Sequence, residues 1–181
     1  MLMANRDNHY EAAFEEYLRV HRIPYVAVDE AKRSRWAGGS IKSLDFIVSP
    51  PGVAAWLVDV KGRRFPSGEQ KHYWKNWSTR DDLQSLAHWE RLFGGQFGSL
   101  FVFAYNVVGD RSPLPARDLF EFRGGLYAFV GIRLSEYARH ARPISPRWDT
   151  LAMPTAQFRQ LAVPLESFFV PSSPQASVKA S

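Results

Sequence analysis

Three charged residues stand inside apolar runs, where charge is costly. Asp45 lies within Ser43-Leu-Asp-Phe-Ile-Val48, and Asp59 and Lys61 close the run Ala54-Ala-Trp-Leu-Val-Asp-Val-Lys61. Both runs are rich in β-branched and aromatic residues, and Ser49-Pro-Pro-Gly52 between them is a turn, so the pair predicts a β-hairpin. Strand side chains alternate, which puts Asp59 and Lys61 on one face. Positions 45 and 59 are centred on residue 52, inside the turn, so the two aspartates are near partners across the hairpin. Recentring the loop on residue 51 shifts the pairing by two and keeps both on the same face.

Two carboxylates buried together require a cation. Mg²⁺, or Mn²⁺ in its place, meets that requirement with one or two carboxylates, waters and substrate phosphates. A lysine beside it, its pKa depressed by burial and by the metal, can orient or deprotonate an attacking water. This is equipment for metal-assisted hydrolysis of a phosphodiester. The other reading of the same three residues is a buried ion network with no chemistry. The chain holds two more acid-x-Lys triplets, Glu30-Ala-Lys32 and Glu69-Gln-Lys71. Both lie in polar surroundings and read as solvated charge.

The elements that must position these residues can be read in outline. Tyr10, Phe14, Tyr17 and Leu18 recur at helical spacing over residues 9–20, with Asn8 to cap the start and Pro24 beyond the end. Tyr25–Val28 is a short strand candidate. Residues 29–42 read as a polar, basic loop, and residues 62–79 as irregular and basic. Asp81–Phe93 is a second helix, ended by Gly94-Gly95. Leu100–Tyr105 is a continuous apolar run, the pattern of a fully buried strand. Phe120–Arg123 and Leu126–Ile132 flank Gly124-Gly125 and predict a second hairpin with a glycine turn. Residues 134–140 and 155–161 are short helix candidates. The order predicts an α/β fold: a mixed central sheet flanked by helices, with a C-terminal β-hairpin and helix extension.

A helix with a Glu, two strands, an Asp, a turn, a strand ending in Asp-x-Lys, then a helix and a strand: this order resembles the PD-(D/E)XK nuclease superfamily, the restriction-endonuclease-like fold. The resemblance covers residues 9–106. It implies that Asp45 and Asp59 bind a divalent metal and that Lys61 assists the water. Leu44 stands where a Pro often precedes the first acid. Phe14-Glu15 resembles the Phe-Glu of Mrr-like and Holliday-junction-resolvase-like members, which implies Glu15 as a third catalytic and metal-ligand residue. Glu11, four residues earlier, lies on the same edge of the helix stripe and is the other candidate. Gln84 on the second helix resembles a glutamine that supports the site in several of these nucleases. Many nucleases of this fold act as dimers, which leaves a homodimer open.

Past Lys61 come Arg63 and Arg64, then Lys71-His-Tyr-Trp74-Lys75-Asn-Trp77 and Arg80. Cations interleaved with aromatics suit phosphates and stacked bases. Lys32, Arg33 and Arg35 form a second basic cluster ahead of Asp45. The nucleic-acid partner expected is DNA in preference to RNA.

Composition bounds the rest. With 181 residues the chain predicts one nuclease-like domain over 1–170 and a disordered Pro/Ser/Ala-rich tail over 171–181. The absence of cysteine excludes disulfides, thiolate metal sites and a cysteine nucleophile. The five histidines show no zinc spacing, and no phosphate-cradling glycine loop or nucleophile elbow is present. A net charge of +5 leans toward an anionic partner. No apolar run of membrane-spanning or signal-peptide length appears, so the expectation is a cytoplasmic protein without a membrane partner. The alternative function, from a different class, is a non-catalytic nucleic-acid-binding module on the same fold.

Overall fold

A computed structural model describes residues 8–28, 34–36, 39–145 and 147–171. The cluster residues Lys32 and Arg33 and the tail from 172 onward lie outside the described residues. The chain runs α1 (His9–Val20), β1 (Tyr25–Ala27), β2 (Ser34–Trp36), β3 (Gly39–Ile41), β4 (Phe46–Val48), β5 (Ala55–Phe65), β6 (Ser78–Thr79), α2 (Arg80–Phe93) and β7 (Phe97–Val107). It continues with β8 (Phe120–Phe122), β9 (Gly125–Arg133), α3 (Leu134–His140), β10 (Arg142–Ser145), β11 (Thr150–Ala152), α4 (Thr155–Leu161), β12 (Val163–Pro164) and α5 (Glu166–Phe169).

The main sheet has seven strands in the order β1-β4-β5-β7-β9-β12, with β8 on β9. It is mixed, because β5 and β7 are parallel while their outer neighbours are antiparallel. The parallel pair requires a crossover, and α2 supplies it. A strand flanked on both sides and covered on both faces must be apolar throughout, and β7 is buried from Ser99 to Tyr105.

Each face of the sheet carries its own core. On one face α1 and α5 cover Phe46, Val48, Trp56, Val58, Leu100, Val102 and Phe129. On the other, α2, α3 and α4 cover Leu57, Phe101, Phe103, Tyr105, Val130 and Ile132. The alternation along β5 is therefore strict. Trp56, Val58 and Val60 face α1, while Leu57 and, by the same period, Asp59 and Lys61 face α2.

The β4–β5 register pairs Phe46 with Val58 and Ile47 with Leu57, centred on residue 52 as the turn position predicts, and stops one residue short of Asp45. Three expectations change. Residues 29–42 are not all loop, since β2 and β3 pair there. β5 continues through Phe65, because its parallel ladder with β7 runs as far as Phe65–Val107. The second hairpin turns at Arg123-Gly124, the two positions with positive φ (49° and 75°), and Gly125 already pairs with Phe122. A two-residue turn of this kind needs positive φ at both central residues, so the register places it one residue earlier than the glycine pair suggests.

Candidate active site

The site forms where β4 and β5 part. The Asp45 amide still donates to the Val58 carbonyl, at 3.0 Å, but the chain before it leaves the sheet. Oδ2 of Asp45 then accepts from the Val60 amide at 2.6 Å. A side chain thus takes over the acceptor position that the departing backbone gives up. Helix α2 holds that departing segment. The Lys42 amide donates to Ser85 Oγ at 3.1 Å, and Trp89 Nε1 donates to the Lys42 carbonyl at 2.9 Å.

Asp59 and Lys61 are both buried, as their strand requires. Lys61 Nζ lies 2.8 Å from Asp59 Oδ1 and 3.0 Å from Oδ2. It also lies 3.0 Å from Oδ2 of Asp82, on α2. The other Asp82 oxygen takes Lys42 Nζ at 2.6 Å. The result is an alternating chain, Asp59–Lys61–Asp82–Lys42, with only Lys42 substantially in solvent.

The electrostatics follow from burial and order. Desolvation raises the Asp59 carboxyl above the ordinary carboxylate range, and the like charge of Asp82 adds to it against the pull of Lys61. Asp82 is held well below that range; burial opposes this, but Lys61, Lys42 and the Thr79 amide outweigh it. Burial pulls Lys61 down, yet its two carboxylates prevail and raise its pKa. Without a bound metal, its two carboxylates thus act on Lys61 against the depression that burial alone would give.

Asp82 was not legible as a site residue. It is also the N3 residue of a capping box, accepting from the Thr79 amide at 3.0 Å while Thr79 Oγ1 accepts from its own amide at 3.1 Å. Thr79-x-x-Asp82 is an ordinary helix-start pattern, and that reading hides the second role. Lys42 stands in a stretch read as loop and carries no motif.

The two candidate glutamates separate. Helix α1 begins directly over Gly62, where a Cβ would lie within 2.7 Å of three Tyr10 ring carbons. Only glycine beside Lys61 lets the start of α1 come so close. Glu11, in that first turn, is buried and accepts from Asn8 Nδ2. Glu15 is one turn further along and accepts from Tyr25 Oη at 2.9 Å, with Arg19 at 3.7 Å. Tyr25 pairs with Val48, at the end of β4 away from Asp45. The structure thus places Glu15 with Tyr25 and Arg19, apart from Asp59 and Lys61. Among the described residues, no group of three or more His, Asp or Glu side chains is gathered as a metal cage.

The basic segment divides as well. Arg64, Lys71 and Arg80 are exposed. Arg63 instead turns inward: its guanidinium sits 3.8 Å from the Trp77 ring centre, Nη1 donates to the Gly62 carbonyl at 2.6 Å and Nη2 donates to the Trp77 carbonyl. Burial lowers its pKa. Trp74 packs in the α2-side core against Phe65, Tyr105 and Phe158, with centroids at 5.6, 5.9 and 6.3 Å. Lys75 is half-buried, and its carbonyl accepts from Tyr105 Oη at 2.9 Å. Gln84 is exposed on α2, two residues past Asp82. Arg35 stands on β2.

This architecture has a structural counterpart. Hjc, a Holliday junction resolvase from the archaeal hyperthermophile Archaeoglobus fulgidus, superposes with a TM-score of 0.52 at 12% identity, covering 88% of this chain and 96% of that one. The chain has the restriction-endonuclease-like fold. At 88% of the chain, the likeness is broader than residues 9–106. No protein-family model and no curated protein matches the sequence. No described helix is long and apolar enough to cross a membrane.

The chemistry of the acidic groups bears on whether a divalent cation could be held here. The facing groups are carboxylate oxygens, which suit Mg²⁺ or Mn²⁺, and the chain offers no thiolate. The Lys61 ammonium already stands in for a cation, in reach of both Asp59 oxygens.

Proposed function

We propose that this protein is a metal-dependent endonuclease that hydrolyses nucleic-acid phosphodiester bonds, with DNA as the favoured substrate. The observation that supports it is the Asp59–Lys61 pair buried on β5 where β4 and β5 part, with Asp45 one residue before β4, in a fold like that of a Holliday junction resolvase. Asp45 and Asp59 would hold Mg²⁺ or Mn²⁺, which would supply Lewis-acid polarisation of the phosphate and offset its charge. Lys61 keeps its proton. Its ammonium orients the attacking water as a hydrogen-bond donor and stabilises charge that builds on the phosphoryl oxygens. Asp82 positions that ammonium from the far side. Glu11, buried at the start of α1, fits a role in ordering water better than Glu15 does. Arg64, Lys71 and Arg80 supply exposed positive charge for the nucleic-acid backbone.

A second reading rests on the Asp59–Lys61–Asp82–Lys42 chain, in which every charge has a partner: a buried ion network on a nuclease scaffold. Metal separates the two. In the nuclease, Mg²⁺ or Mn²⁺ at about 100 times its dissociation constant stabilises by ~2.7 kcal/mol, and Asp59→Ala removes that effect. Incubation of mixed nucleic acids with Mn²⁺ shows cleavage by the wild type and none by Lys61→Ala. Metal-independent melting together with no cleavage establishes the ion network. Salt-sensitive DNA affinity without cleavage establishes a binding module.

A further inference from the structure

Beyond the catalytic face stands a small second sheet, β10-β11-β6. Its outer hairpin, β10–β11, ends in Arg147-Trp148-Asp149. Trp148 is 73% exposed, and Ile144 on β10 is 58% exposed. An indole is among the costliest side chains to leave in water, and here it is held there. The tip is fastened at three points. The Arg80 amide donates to the Asp149 carbonyl at 3.0 Å, Arg80 Nε meets Asp149 Oδ1 at 2.9 Å, and Thr150 Oγ1 donates to the Trp148 carbonyl at 3.2 Å.

The fastening point matters. Arg80 opens α2, and Asp82, two residues on, contacts Lys61. Trp148 therefore stands on a hairpin pinned to the first turn of α2, the same turn that carries Asp82. Arg147 and Arg142 are exposed on the same hairpin, and Arg80 is exposed at its foot. An aromatic face among cations complements a nucleic acid whose bases are free to leave the stack.

We propose that the β10–β11 hairpin is a base-stacking element, and that Trp148 engages an unpaired base of a single-stranded or branched DNA whose phosphate lies at Lys61. The Trp148 ring carries the preference for unpaired structure, and Arg147 supplies sequence-independent attraction to phosphate. The proposal rests on the nuclease reading for the position of the phosphate, but its test needs no cleavage.

The test measures binding of the full chain, in EDTA, to fluorescein-labelled single-stranded, four-way-junction and fully paired DNA of matched sequence. Trp148→Ala weakens single-strand and junction binding about ten-fold and duplex binding less than about two-fold. Trp148→Phe restores most of the loss, and Arg147→Ala weakens all three alike while lowering the salt slope by about one. An unchanged melting temperature in Trp148→Ala confirms that the fold is intact. Equal affinities for wild type and Trp148→Ala overturn the proposal, as does an equal loss on all three DNAs. Self-association that Trp148→Ala abolishes assigns the tip to a second copy of this chain and also overturns it. Trp148-dependent binding without any cleavage keeps the hairpin and removes the nuclease; cleavage indifferent to Trp148 does the reverse.

Discussion

Asp82 holds two structures together, and its replacement measures both. In Asp82→Ala, α2 loses the side-chain half of its capping box, worth ~1 kcal/mol. Lys61 loses one of its two carboxylates; a charged hydrogen bond of this kind is worth ~1.5–3 kcal/mol. The Lys42 partner is 46% exposed, so that pair is discounted to ~0.5 kcal/mol. Relief of the repulsion between Asp82 and Asp59 returns part of this. The net loss is about 3 kcal/mol, or ~6–12 °C in melting temperature for a chain of this size.

The pH dependence has a definite sign. The folded Asp82 carboxyl titrates below its ordinary value of 3.8, so its stabilisation is complete above that pH and is lost as pH falls through the lower, folded value. Asp59 works in the opposite direction, since its carboxyl is raised, and so the difference between wild type and variant is the quantity to follow. Urea denaturation of wild type and Asp82→Ala from pH 7 down to pH 3 shows that difference shrinking below about pH 4. A loss under ~1 kcal/mol at pH 7, or a difference constant with pH, refutes the account of Asp82 as an ionised partner of Lys61.

Gly62→Ala drives a methyl into the Tyr10 ring and costs ~1–3 kcal/mol; Tyr10→Ala in the same chain recovers part of that loss, and a double-mutant cycle in urea measures the coupling. Under the nuclease reading, Glu11→Gln lowers cleavage about 10–100-fold while Glu15→Gln changes it only a few-fold, read from initial rates in Mn²⁺. The paired replacement Asp59→Leu with Lys61→Met leaves Asp82 its contacts with Lys42, Ser78 and Thr79. Calorimetry then finds stability within ~1 kcal/mol of wild type or above it, with cleavage gone.

What could be read in the sequence is what period and turn chemistry determine. The Pro-Pro-Gly turn fixes the centre of the β4–β5 pairing at residue 52, and strand alternation leaves no choice about the face that Lys61 shares with Asp59. The residues that escaped are those whose local explanation was already complete. Asp82 reads as a helix cap, Lys42 as loop charge, and Gly62 as one more glycine after a strand. Only the packing of α1 and α2 against β5 gives each its second role. Arg63 failed in the opposite direction. Its charge suggested phosphate, but its even spacing from Lys61 keeps it on the same α2-side face, where it turns under Trp77. Trp74 likewise belongs to the core because β5, β7 and α4 converge beneath it.

Stability alone gives little reason for the charges on β5. The strand is central and buried, and Leu57, Val58 and Val60 show what such a position ordinarily holds. A buried ion pair roughly breaks even against apolar side chains of the same volume, because desolvation consumes the Coulombic gain. Asp59 bears this out: even with Lys61 in contact, burial leaves its carboxyl raised. Asp59 and Lys61 therefore occupy space on the strand that leucine and methionine could fill at little loss. Sites where a chain breaks its own packing rules are where function is expected. A buried Asp59–Lys61 pair on a central strand, where the packing rule calls for apolar side chains, is the place at which the nuclease reading is tested.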